Sequence, residues 1–166
     1  MILLKNFLEA EEISEGRSCF VGGGMIDYFA MDEFIRKVLS RVNPNAQSIK
    51  YRASNNTNRS DASHFHRDII NFNENSVPSV YTVLFYLDDA SMEVIQGSHT
   101  KPKMNFIEGM TSDTQVFDMH AGDVLIFNAC TLHRGKFSTT MTDNRRLIQV
   151  FDTTFGENYT PEIMHL

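Results

Sequence analysis

Beyond Pro44 the apolar residues of this chain change their period, and that change constrains the fold more than any other feature. Before it, Tyr28, Phe29, Met31, Phe34, Ile35, Val38, Leu39 and Val42 recur at intervals of three and four. Those intervals predict one amphipathic helix over Ile26–Val42, stopped by Asn43-Pro44-Asn45. After it, Ser48–Arg52 and His64–Ile69 alternate as strands do, and Ser79–Leu87 is the β-branched and aromatic run of a buried strand. Met92–Ile95, Gln115–Met119, Asp123–Asn128 and Arg145–Phe155 add four more strands, and Leu132–Phe137 a short one. A parallel sheet needs crossover helices, and the last two-thirds of the chain has no helical pattern. The expectation is an α+β chain with a jelly-roll-like β core and helices packed on one face.

The 166 residues suit a single domain, 1–166, with helical support over 1–45 and a β core over 46–155. Apolar residues at 42% and charged residues at 22% exclude a disordered chain. Fifteen basic against 21 acidic residues give a net charge of −6, which disfavours nucleic acid and anionic membranes as partners. No apolar run approaches the ~20 residues of a membrane span, and Met1–Leu8 turns acidic too soon for a signal peptide. Two cysteines, Cys19 and Cys130, are too few for a disulfide framework, so a reduced, cytoplasmic setting is expected. Residues 7–14 read as a short acidic helix, and Gly22, Gly23 and Gly24 as a corner with no phosphate-binding motif after it. Ala53–Ser63 is a polar loop between strands.

Of six histidines, His66 and His133 carry the chemical signal, together with Asp68. Residues i and i+2 of a strand share a face, so His66 and Asp68 converge. His133, in another strand-like run, can supply a third ligand. Two imidazoles and a carboxylate on one face leave three positions of an octahedral metal open, the arrangement of non-haem Fe(II) oxygenases. A lone His-x-Asp is a weak signal, met more often in a hydrogen-bonded pair or at a solvated strand edge. His64 has the parity to join the face but reads first as an exposed loop-end residue. His99 reads as a turn residue near the site rim, His120 as a turn residue, His165 as part of the tail and Cys130 as small core.

The order of motifs adds specificity: His66-Arg67-Asp68, Tyr86-Leu87-Asp88, Gly97-Ser98-His99, Gly122-Asp123 before an apolar strand ending at Phe127, His133, then Arg145 opening the last strand. With these, Ile49–Asp152 resembles the 2-oxoglutarate- and Fe(II)-dependent dioxygenases, both the prolyl-hydroxylase and the phytanoyl-CoA dioxygenase branches. The resemblance implies a double-stranded β-helix, a cupin-like jelly roll. It implies that His66, Asp68 and His133 hold Fe(II), and that 2-oxoglutarate and O2 are cosubstrates. Arg145 matches the position that binds the distal carboxylate of 2-oxoglutarate; Arg146 is its rival, since one residue of register flips the face. Tyr86 and Tyr51 match tyrosines that contact the same cosubstrate. Ala90–Ile95 matches neither branch, so the substrate-facing part stays unassigned.

The implied reaction hydroxylates a peptide side chain or a small metabolite and releases succinate and CO2. Two other readings remain open: a cupin-type metal enzyme using His64, His66 and His133 without 2-oxoglutarate, and a non-catalytic jelly-roll binding module.

Overall fold

The computed structural model describes residues 1–22, 24–46, 50–55, 64–70, 72–73, 75–104, 112–136 and 144–152. Among them are two helices, α1 (Ala10–Ser18) and α2 (Tyr28–Val42), and ten short strands. These are β1 (Ile2–Leu4), β2 (Phe20–Gly22), β3 (Met25–Ile26), β4 (Lys50–Asn55), β5 (Tyr81–Tyr86) and β6 (Ala90–Ile95). The chain continues with β7 (Thr114–Met119), β8 (Val124–Asn128), β9 (His133–Lys136) and β10 (Arg146–Asp152). His165 and residues 153–155 of the expected last strand lie outside the described residues.

The predicted long helix is present, with its start moved to Tyr28. Asp27 caps it by accepting from the amides of Phe29 and Ala30, both at 3.1 Å. Its buried stripe is Met31, Phe34, Ile35, Val38, Leu39 and Val42. Tyr28 and Phe29, which the periodicity also assigned to that stripe, are exposed, because burial begins one turn into the helix. The acidic helix lies at Ala10–Ser18 rather than 7–14. Glu9 and Glu12 close its first turn as a reciprocal capping box.

Five strands form an antiparallel sheet in the order β1-β8-β5-β10-β4, and three form another, β7-β6-β9. Strand β1 had no counterpart in the sequence reading; it adds to β8 with Ile2 opposite Ile126. The glycine corner is a small β2–β3 hairpin, with Gly22 and Gly24 at positive φ. The expected strand over His64–Ile69 contracts to one bridge, His66 opposite His133. The chain leaves that ladder because the amides of Asp68 and Ile69 both donate to the Ala129 carbonyl beyond β8, at 3.0 and 3.1 Å.

Alternation along β5 separates two cores. Val83 and Phe85 face α2 with Met31, Phe34, Ile35 and Val38. Leu84 and Tyr86 face the other way, into a cluster with Met92, Val94, Phe117, Leu125 and Phe127 from both sheets. The candidate site opens beside this second cluster.

Candidate metal centre

The backbone bridge between His66 and His133 sets two imidazoles side by side. Each amide donates to the other residue's carbonyl, at 2.9 and 3.0 Å, and the ring centroids are 4.3 Å apart. Asp68, two residues on, brings its carboxylate to the same place: Oδ1 is 3.9 Å from His133 Nε2. One ligand atom from each of the three lies within 4.8 Å of the others.

Neighbouring groups aim these donors. The His133 Nδ1 lies 2.9 Å from the Thr131 carbonyl and the His66 Nδ1 3.2 Å from the His64 carbonyl. A carbonyl can only accept, so Nδ1 is the donor on both rings and Nε2 is the nitrogen left to act as a ligand. Thr82 donates to Asp68 Oδ2 at 2.6 Å, leaving Oδ1 turned to His133. Burial pushes the His133 imidazole below its ordinary range, against the pull of Asp68, so the ring is held neutral. Two imidazoles and one carboxylate, brought together in this way, fit a divalent iron ion.

A cavity of about 180 Å³ is lined by two of the three donors, His66 and His133, and by Arg145. His66, His133, Leu84, Tyr86, Gly135 and Leu147 are among its walls. Arg145 is buried, and its Nε has no hydrogen-bond partner among the described residues. A buried cation without a counter-anion is costly, so the cavity is suited to an anionic guest. Tyr86 lies wholly inside, its hydroxyl 3.7 Å from the Met92 sulfur, and burial pushes its phenol up. Arg146 takes the opposite course: Asp88 accepts from its Nε and Nη2 at 2.8 and 3.0 Å.

Tyr51 does not reach this cavity. It stands opposite Val150 in the β4–β10 pairing and packs on the α2-side core, where burial pushes its phenol up. Parity gives the cavity side of β4 to Arg52 and Ser54 instead. The expectation of a cosubstrate contact at Tyr51 is corrected accordingly. Thr82, Thr131 and Gly135 were missed; only Thr82 carried a signal, sharing strand parity with Tyr86.

The other histidines stand apart. His64 is exposed, and its carbonyl serves His66. His120 is exposed, 3.6 Å from Asp89. His99 lines a second cavity of about 410 Å³ with Gln96, Gln115, Phe117 and Phe127. Phe127 meets the His133 ring edge-on at 4.8 Å, so the two aromatic rings stand between this space and the metal-side cavity. Cys130 is buried, as expected of a small core residue.

No helix among the described residues is long and apolar enough to cross a membrane. No curated protein sequence matches the chain. Solved structures do. AviO1 from Streptomyces viridochromogenes Tue57 superposes with a TM-score of 0.64 at 16% identity, over 96% of this chain and 93% of that one. HygX from Streptomyces hygroscopicus, with nickel, 2-oxoglutarate and hygromycin B bound, gives 0.62 at 15% identity over 92% and 82%. The epimerase SnoN, in complex with Fe3+, alpha-ketoglutarate and nogalamycin RO, gives 0.62 at 16% over 90% and 77%. Residues 25–146 match the family model described as phytanoyl-CoA dioxygenase (PhyH). That match spans most of the chain, from β3 to the first residue of β10, and by it the protein belongs to the phytanoyl-CoA dioxygenase family, non-haem iron oxygenases dependent on 2-oxoglutarate.

Proposed function

We propose that the chain oxidises a small organic molecule, with His66, Asp68 and His133 holding Fe(II) and Arg145 receiving the distal carboxylate of 2-oxoglutarate. The observation that carries this reading is a three-donor cluster whose two histidines share one cavity with a buried arginine that is incompletely hydrogen-bonded among the described residues. Iron, when bound, supplies the place where O2 is activated. The residues do the rest. The Nδ1–H bonds to Thr131 and His64 hold both rings in the ligating tautomer, and Thr82 holds the carboxylate. Arg145 offers a permanently charged fork to the far carboxylate, and Leu84 and Leu147 line the space between.

In the balanced reaction, one oxygen atom enters a substrate C–H bond as hydroxyl. The other enters the succinate formed as 2-oxoglutarate loses CO2. A small molecule is favoured over a peptide side chain by the ligands of the similar structures, hygromycin B and nogalamycin RO. The two sheets, facing each other across a shared cluster with a fourth edge supplied at His66, support the double-stranded β-helix reading. We read 1–166 as one domain in a cytoplasmic setting, with both helices in a supporting segment 1–45, which also carries β1, β2 and β3, and the β core over 46–155.

Anaerobic titration tests the assignment. Adding 2-oxoglutarate to the Fe(II)-loaded protein should produce a visible charge-transfer band that Asp68→Ala and Arg145→Ala both weaken. Metal binding without any response to 2-oxoglutarate would instead favour the cupin-type enzyme, and binding of neither would favour a non-catalytic module.

A further inference from the structure

Strand β9 carries a donor of the metal centre, His133, and two residues later Gly135, on the same face and about 6.8 Å along the strand. The Arg145 guanidinium rests on that glycine. A Cβ built at position 135 would stand 2.5 Å from both Nη1 and Nη2 and 2.9 Å from Cζ. Contact with all three atoms means that the end of the guanidinium is seated on the strand backbone.

The backbone does not require glycine here. Gly22, Gly24, Gly97 and Gly122 adopt positive φ, where any side chain is strained; Gly135 does not. What position 135 needs is space. Gly16 also fills a spatial need, but its Cβ would meet Leu87 and Phe34 in the core. At Gly135 the displaced group is the far end of a long, flexible side chain, so an added methyl group moves Arg145 and leaves the sheet in place.

We propose that Gly135 is a positioning residue, the seat that holds Arg145 at the reach of a five-carbon keto diacid. One stretch of β9 then sets both ends of the cosubstrate site: His133 fixes the metal, and Gly135 fixes the anchor one pleat repeat away. The proposal rests on the reading of Arg145 as the carboxylate anchor.

Anaerobic calorimetry on the full-length Fe(II)-loaded protein tests it, with 2-oxoglutarate and with pyruvate, a keto acid lacking the distal carboxylate. Gly135→Ala should weaken 2-oxoglutarate binding about tenfold or more, the loss expected when a charge-assisted pair is misaligned. Fe(II) and pyruvate affinities should stay within about twofold of the parent. The Gly135→Ala/Arg145→Ala double variant should bind 2-oxoglutarate no worse than Arg145→Ala alone, since both changes act through one group. Unchanged 2-oxoglutarate affinity in Gly135→Ala, with a loss in Arg145→Ala, would overturn the seat and leave the anchor standing. An Arg145→Ala protein that binds 2-oxoglutarate normally would remove the anchor, and the seat with it. Parallel loss of Fe(II) and pyruvate in Gly135→Ala, or failure of that variant to fold, would also overturn the proposal, because the flexible side chain was to absorb the displacement.

Discussion

The two faces of strand β5 are built under different rules, although the residues alternate along one backbone. Val83 and Phe85 meet α2 through carbon alone. On the reverse face Thr82 holds Asp68, Leu84 lines the cavity, and Tyr86 reaches the neighbourhood of Arg145. The α2 face needs volume and shape, and its energy is spread over many contacts. The inner face places single polar groups against single partners, so each loss there has a specific chemical consequence. Substitutions on the α2 face should therefore change stability, and those on the inner face should change ligand binding.

The largest effect is expected at the donors. Asp68→Ala or His133→Ala should reduce Fe(II)-dependent 2-oxoglutarate turnover to background while thermal unfolding still shows a folded protein. His64→Ala, altering the exposed side chain of a residue that contributes only its backbone carbonyl, should keep metal binding. Retention of iron in Asp68→Ala with loss in His64→Ala would break the comparison at its base.

On the opposite face Phe34→Ala removes a fully buried ring. It should cost about 3–5 kcal/mol by denaturant unfolding and leave the 2-oxoglutarate affinity of the remaining folded protein unchanged. A specific loss of cosubstrate binding there would mean that the faces are coupled.

Arg145→Ala should raise the 2-oxoglutarate requirement about 10–150-fold, from a charge-assisted pair of roughly 1.5–3 kcal/mol. Its neighbour separates the rules within one residue: Arg146→Ala strips Asp88 of its two-point partner and should lower stability by about 1–3 kcal/mol without touching 2-oxoglutarate binding. The smallest change sharpens the contrast. Thr82→Val keeps the shape of the side chain and removes the hydroxyl that bonds Asp68; Fe(II) affinity should fall about tenfold, as expected for groups that orient metal ligands.

Periodicity carries the parts of this molecule that are long and half-buried. The α2 stripe and the alternating strands are legible because their spacing repeats over many residues. Strand β1 is three residues long, too short to show alternation, and only its partner β8 makes it a strand. The His66 segment alternates in sequence, yet two amides drawn to Ala129 pull it off the ladder after one bridge. Tyr51 shows the limit of matching a residue by its place in a motif order. One residue of parity decides between the cavity and the helix, and that parity is set by pairing with β10, which local sequence does not reveal. Gly135 was invisible for another reason: a glycine that serves as empty space is defined by what rests on it, here a side chain ten positions away.

Arg67 lies between two of the donors and points to the opposite side. Its guanidinium donates to the carbonyls of Ser98, Cys130 and Lys101, and it stacks 5.2 Å from the centre of the Phe72 ring. The segment's backbone is held by one bridge and by two amides at Ala129, and the arginine adds a side-chain hold. The arginine acts as a keel: with residue 67 clamped to one side, residues 66 and 68 are turned to the other. The torsional order of the donors is thus established when the chain folds, before any ion arrives. On the proposed assignment, an incoming metal would meet donors already facing it and would have little rotational freedom left to quench.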